Sequence, residues 1–203
     1  MRKLLTLCLL SIGLLVKAQT AGYQVGDLAS DFNLKNINGK NVSLASMNAA
    51  KGYIVVFTCN TCPYAMAYEE RIKALDKKYS TLGYPVVAIN PNDPVAQPAD
   101  SYEKMQQKAK DKGFTFPYLM DPDHLMTKKY GANRTPHAFI LQKTAKGNVV
   151  QYIGAIDSDT EGVSKDKINY VENAIEALQA GKTPAITSTK AIGCTIKWKK
   201  EGA

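Results

Sequence analysis

Tyr53-Ile54-Val55-Val56-Phe57-Thr58-Cys59-Asn60-Thr61-Cys62-Pro63 is the stretch on which the fold turns. Its first five residues form a continuous apolar run with β-branched side chains, as expected for a strand covered on both faces. From Pro63 to Tyr79 the pattern becomes helical. Met66, Ile72, Leu75 and Tyr79 lie near one face, Glu69 and Glu70 come early, Lys77 and Lys78 come late, and Gly83 lies beyond the end. Tyr84 to Ile89 is a second buried strand, parallel to the first if the helix crosses between them. The two cysteines therefore sit where a buried strand turns into a helix.

Toward the N-terminus, Phe32-Asn33-Leu34-Lys35 and Val42-Ser43-Leu44 alternate apolar and polar residues around Asn38-Gly39, which predicts a hairpin. Toward the C-terminus, Asn90 to Pro98 holds three prolines and reads as a loop. Asp100 or Ser101 then caps a polar surface helix reaching about Lys112, stopped by Gly113. Asp121-Pro122 opens a short helix ended by Gly131, and His137 to Gln142 with Asn148 to Ile153 predict an antiparallel pair around Lys146-Gly147. Ser164 is expected to cap a last helix with the stripe Ile168, Val171, Ile175, Leu178, which Gly181 and Pro184 terminate. The tail from Ala185 onward shows only the weak alternation Cys194-Thr195-Ile196-Lys197-Trp198.

With 203 residues, 45% hydrophobic and 22% charged, the chain can bury one full core and is not disordered, collagen-like or a disulfide scaffold. Arg2 and Lys3, the weakly polar to apolar run Leu4 to Val16, and Val16-Lys17-Ala18 read as a secretory signal cleaved after Ala18. The run is short for a membrane span, so no stable membrane insertion is expected after cleavage. Cys8 lacks the small residues of a lipid-attachment site. Removing Arg2, Lys3 and Lys17 reduces a formal charge of +8 to 23 basic residues against 18 acidic. Lys128-Lys129 and Lys197, Lys199, Lys200 form no basic stripe, which argues against nucleic acid as a partner. Export leaves Cys59, Cys62 and Cys194 in an oxidising compartment. Three is an odd number, so either one thiol stays free or the pairing changes during function.

The order strand, Cys-Asn-Thr-Cys, helix, strand, extra helices, Arg-Thr-Pro, hairpin, helix resembles the redoxin branch of the thioredoxin superfamily. That branch holds the TlpA-type thiol-disulfide oxidoreductases and the alkyl hydroperoxide reductase/thiol-specific antioxidant proteins. Val25-Gly26-Asp27-Leu28-Ala29-Ser30-Asp31-Phe32 is similar to its opening motif with Ser30 in place of Pro, and Tyr130-Gly131 followed by Thr135-Pro136 is similar to a later segment. The resemblance implies an α/β thioredoxin-like fold. Its central mixed sheet is flanked by helices, with an N-terminal hairpin and inserted helices before a cis-proline loop. The division expected is a signal peptide at 1–18, a redoxin domain at 19–184 and a tail at 185–203 docking on the domain.

The activity implied is disulfide exchange with exported proteins and a redox donor protein, without cofactor or metal. A thiol at a helix N-terminus sits near unsatisfied N–H groups and about half a positive charge, so Cys59 is expected to attack through a lowered pKa. Cys62, one turn away, is expected to resolve the mixed disulfide. Thr135 and Pro136 are the residues implied for pairing with a substrate strand. Arg134 either holds a thiolate or is a solvated side chain. Cys194, in a segment similar to a "GCxIKW" motif of a redoxin-like subgroup, is either a buried small residue of a docked tail or a third redox thiol. The expectation adopted is a buried, unreactive Cys194.

Two departures matter. Tyr53 stands six residues before Cys59, where classical thioredoxins carry a buried acid, so no proton acceptor for Cys62 is legible. Val56 stands three before Cys59, where peroxiredoxins place Thr, which counts against peroxide reduction. Alternatives are a thiol peroxidase of the peroxiredoxin type and a Sco-like copper chaperone using the cysteines with His137. The copper reading is opposed by a spacing of two residues between the cysteines where that family has three.

Overall fold

Every residue of Gly52–Phe57 is buried, and consecutive side chains of this strand point into two different cores. Ile54 and Val56 join Tyr68, Ile72, Leu75, Val171 and Ile175 on one face. Tyr53, Val55 and Phe57 join Phe32, Leu44, Tyr130 and Ile196 on the other. This period-two division of a wholly apolar strand makes it the centre of a three-layer molecule.

The computed structural model describes residues 22–200; the expected leader at 1–18, its cleavage site and Cys8 lie outside the described residues. In chain order the elements are β1 (Leu28–Ala29), β2 (Leu34–Asn36), β3 (Asn41–Val42), β4 (Gly52–Phe57), α1 (Pro63–Tyr79), β5 (Val86–Asn90), α2 (Tyr102–Lys112), β6 (Tyr118–Met120), α3 (Leu125–Tyr130), β7 (Arg134–Thr135), β8 (His137–Thr144), β9 (Gly147–Gly154), α4 (Tyr170–Gln179) and β10 (Cys194–Thr195). Eight strands form one mixed sheet in the order β1-β9-β8-β4-β5-β6-β2-β3, and β10 pairs separately with β7. β4 runs parallel to β5 and antiparallel to β8, and β8 with β9 forms the expected antiparallel pair. The expected hairpin is β2–β3, with Gly39 at φ 83° in its turn. This is the thioredoxin-like α/β arrangement of a mixed sheet flanked by helices.

Three local expectations change. The last helix begins at Tyr170, not near Ser164. The Ser164 N–H donates to the Asp159 carboxylate at 2.6 Å, so the preceding segment is a turn organised by acids, and Ile168 lies exposed outside the stripe. The short helix begins at Leu125 rather than at Pro122. Here the Asp121 carboxylate accepts both the Thr127 N–H (2.7 Å) and its hydroxyl (2.6 Å), and His124 takes a left-handed conformation. Finally, β6 adds to the expected strands: three residues after Pro117 are too few to show periodicity, yet they bridge β5 and β2.

The tail is also structured. Ile153 and Ser188 form a bridge, Thr189 accepts the Ala155 N–H at 3.0 Å through its hydroxyl, and Ile196 is buried in the second core.

Candidate active site

Cys59 is the second residue after β4, and Cys62 is the residue capping α1, with Pro63 in the first turn where its missing N–H has no helical partner to lose. Both are buried. The two residues between them are held by a shell of side chains from distant parts of the chain. The Asp100 carboxylate, wholly buried, accepts the Asn60 N–H at 2.6 Å and the Asn92 amide at 2.6 Å, and the Thr61 hydroxyl approaches it at 3.4 Å. Lys108 Nζ donates to the Asn60 carbonyl at 2.8 Å, and Tyr118 donates to the Asn60 side-chain carbonyl at 2.9 Å. By sequence Asp100 is only a helix cap; in the structure it is buried, as are Asn90 at the end of β5 and Asn92 and Asp93 in the loop that follows.

The electrostatics differ from expectation. Burial pushes the Cys59 thiol up from the ordinary cysteine value, and the Asp100 charge pushes it the same way. The Thr135 hydroxyl and the N–H groups of Cys62 and Thr61 act in the opposite sense. The favourable helix-terminal donors are present, but desolvation of a buried sulfur and a nearby carboxylate outweigh them. Glu69 is a second buried acid nearby. It pairs with Lys108, lies 3.6 Å from Lys112, and lines with Cys59 and Tyr118 a cavity of about 10 Å³, room for one water.

Thr135 is where the site converges. Its hydroxyl lies 3.3 Å from Cys59 Sγ, its carbonyl oxygen lies 3.1 Å from Cys62 Sγ, and the bond to Pro136 is cis. Arg134 points away: its guanidinium donates to the Asn133 carbonyl at 3.1 Å, and it makes no hydrogen bond to a cysteine. His137 begins β8 opposite Phe57 and packs on Phe139, ring centroids 4.6 Å apart. Among the described residues no group of three or more His, Cys, Asp or Glu is arranged to hold a metal ion.

The expectation of a buried, unreactive Cys194 changes on both counts: the residue is half-buried and is paired with another cysteine. Cys62 is joined to Cys194 across 132 residues, with their Cα atoms 5.8 Å apart, while Cys59 is a free thiol. Cys194 reaches that position because β10 pairs antiparallel with β7, placing Cys194 opposite Thr135 and Thr195 opposite Arg134. Two residues of alternation in a tail are too weak a signal for a strand, and only the fold brings it to this edge.

A buried strand feeding a Cys-x-x-Cys turn at a helix start, faced by a cis-proline loop in a mixed sheet, defines the thioredoxin-like redoxin class of oxidoreductases. Within it, the chain matches the AhpC/TSA family over residues 25–152 and belongs to that family. It is 27% identical over 125 residues to the thiol-disulfide oxidoreductase ResA of Geobacillus thermodenitrificans, covering 60% of this chain and 66% of that protein, just under two thirds. It is 28% identical over 134 residues to a putative peroxiredoxin of Mycobacterium tuberculosis, covering 66% of this chain and 78% of that one. The crystal structure of a hypothetical protein from Sinorhizobium meliloti 1021 superposes with a TM-score of 0.80 at 32% identity, over 88% of this chain and 96% of the other. A thioredoxin-family thiol:disulfide interchange protein from Chlorobium tepidum TLS shares the fold, with a TM-score of 0.50 at 22% identity over 63% and 85% of the two chains.

Proposed function

We propose that the protein is an exported thiol-disulfide oxidoreductase that exchanges disulfides with protein partners through Cys59-Asn60-Thr61-Cys62. The observation that carries this reading is a free Cys59 thiol at the β4–α1 turn, held between the Thr135 hydroxyl and the N–H groups of Thr61 and Cys62. Those donors stabilise a thiolate once formed, and a thiolate is the nucleophile of disulfide exchange.

In the reducing direction Cys59 attacks a partner disulfide. The partner's S–S bond breaks, a Cys59–partner bond forms, and one partner sulfur leaves as a thiol. Cys62 then attacks Cys59 Sγ, releasing the second partner thiol, so that two electrons pass from the enzyme dithiol to the partner. The β7 backbone at Arg134–Thr135, with Pro136, is the edge on which an extended partner segment adds once β10, which pairs there in the structure, has moved aside. Export is supported by the leader pattern of residues 1–18 and suits a thiol pair that cycles between oxidation states. Among the described residues no helix is long and apolar enough to cross a membrane.

The test is reduction of insulin disulfides by the fully reduced mature chain, followed by turbidity. Activity lost in Cys59→Ser supports the reading, and activity retained in that variant overturns it. The putative peroxiredoxin relative favours a second reading, peroxide reduction at Cys59. Consumption of hydrogen peroxide by the reduced chain, faster than its exchange with insulin, would favour it.

A further inference from the structure

The tail is bound at the site by specific contacts along its length. Gly193 passes so close to β7 that a Cβ there would lie 2.2 Å from the Thr135 carbonyl oxygen. Cys194 donates its N–H to Cys62 Sγ at 3.3 Å. Beyond it, the Lys197 N–H donates to the Asn92 side chain at 2.9 Å, the Lys197 carbonyl accepts from the Asp93 N–H at 2.8 Å, and the Lys199 N–H donates to His124 Nε2 at 3.0 Å. Trp198 lies against the His124 ring, centroids 4.9 Å apart. Asn92, Asp93 and His124 are all buried. The strand edge that a partner segment would use is thus filled by a piece of this chain carrying its own cysteine.

We propose that Cys194 is the third redox thiol of the site, taking the disulfide over from Cys59 and Cys62. This deepens the exchange reaction proposed above and rests on it. After a partner is reduced, the enzyme holds a Cys59–Cys62 bond. The Cys194 thiolate attacks Cys62 Sγ, a Cys62–Cys194 bond forms, the Cys59–Cys62 bond breaks, and Cys59 leaves as a thiolate that takes up the proton Cys194 gave up. The Thr135 hydroxyl and the Thr61 and Cys62 N–H groups receive that leaving sulfur. No electrons are gained or lost in this step, and the oxidised enzyme ends with the arrangement seen in the structure. A dithiol donor closes the cycle. One of its thiolates attacks Cys194, the more exposed sulfur of the pair, and Cys62 leaves as a thiol; the donor's second thiol then frees Cys194, and the donor departs as a disulfide. Cys59 thereby meets the partner and Cys194 meets the donor.

The experiment starts from the fully reduced mature chain. It is oxidised with a substoichiometric amount of insulin or, in a separate arm, of oxidised glutathione, then quenched in acid and alkylated, and the linked peptides are mapped. Expected are a Cys62–Cys194 peptide as the main product, with Cys59 alkylated. Cys194→Ser is expected to stop at Cys59–Cys62 and to lose at least tenfold in steady-state insulin reduction with dithiothreitol as donor, after subtraction of the direct reaction. A wild-type product linked Cys59–Cys62 with Cys194 alkylated, or turnover in Cys194→Ser equal to wild type, overturns the proposal. Mapping the wild type needs no variant to fold. If insulin is not reduced at all, the exchange function fails, while the glutathione arm still decides whether Cys194 takes the disulfide.

Discussion

Gly193 lies against Thr135 so tightly that no side chain fits between them: an added Cβ would sit 2.2 Å from the Thr135 carbonyl oxygen and 2.6 Å from its carbonyl carbon. Because the obstacle is backbone of the cis-proline loop, relief requires the tail to move. Gly193→Ala should therefore lift β10 from β7 while leaving the central sheet intact. In the reduced protein, alkylation of Cys194 is expected to speed up by at least tenfold. Trp198, the only tryptophan, is expected to change its emission as it leaves His124. Unaltered alkylation and emission would show that the tail is not held at this point.

The charge of Asp100 faces the Asn60–Thr61 turn and disfavours the Cys59 thiolate. Asp100→Asn keeps an oxygen to accept the Asn60 N–H but removes the charge, so the Cys59 pKa should fall. Alkylation of Cys59 in reduced protein at pH 7 should become several-fold faster, with its pH profile moved to lower pH. The substitution weakens charge-assisted hydrogen bonds, at a cost of about 1–3 kcal/mol in stability. An unchanged profile in a folded variant would remove Asp100 from the control of this thiol.

Burial lowers the His137 imidazole to about 4, against an ordinary value of about 6.5 in the unfolded chain. Above pH 6.5 both states are neutral and the group has no effect on stability. As pH falls from 6.5 toward 4 the unfolded chain takes up a proton that the folded one does not, so the folded state loses stability, by about 3 kcal/mol in full. Urea unfolding at pH 7 and pH 4.5 should show most of this loss in the wild type. His137→Phe should abolish its share, and an equal pH dependence in that variant would refute the assignment.

The elements that sequence made legible are those whose pattern is local. The all-apolar run of β4, the Ile72, Leu75 and Tyr79 part of the α1 stripe, and Asn38-Gly39 each carry their own signal, and the Cys59–Cys62 turn follows from their order; Met66, expected on the same face of α1, is exposed, and Ala65 and Tyr68 take its place. What sequence could not show depends on partners far along the chain. Asp100 looks like any cap until the loop folds it under Asn60. Thr135 and Cys194 are separated by 59 positions yet lie in one strand register. The lowered thiol pKa expected for Cys59 came from its helix position alone; its depth and the Asp100 charge, which reverse the direction, exist only in three dimensions.

Ile196 links the packing of the tail to the chemistry of Cys194. It is buried in the second core, alongside Ile89, Leu119, Tyr130 and Ala132, two residues beyond the cysteine. Ile→Ala at a buried position costs about 2–5 kcal/mol. Here the chain is expected to avoid the cavity by another route, because β10 pairs only with β7, outside the eight-stranded sheet, and its detachment leaves that sheet's pairing intact. Detachment lowers the effective concentration of Cys194 at Cys62, so the penalty appears in the disulfide equilibrium. If about 2 kcal/mol is expressed this way, the equilibrium constant for the Cys62–Cys194 bond against glutathione falls about 30-fold. Titration with reduced and oxidised glutathione, followed by alkylation and mass analysis, reads that constant directly. Urea unfolding of the reduced protein supplies the control. A midpoint close to wild type, together with the weakened disulfide, places the loss in docking, whereas a lower midpoint with an unchanged disulfide constant would show that Ile196 serves the core and not the tail.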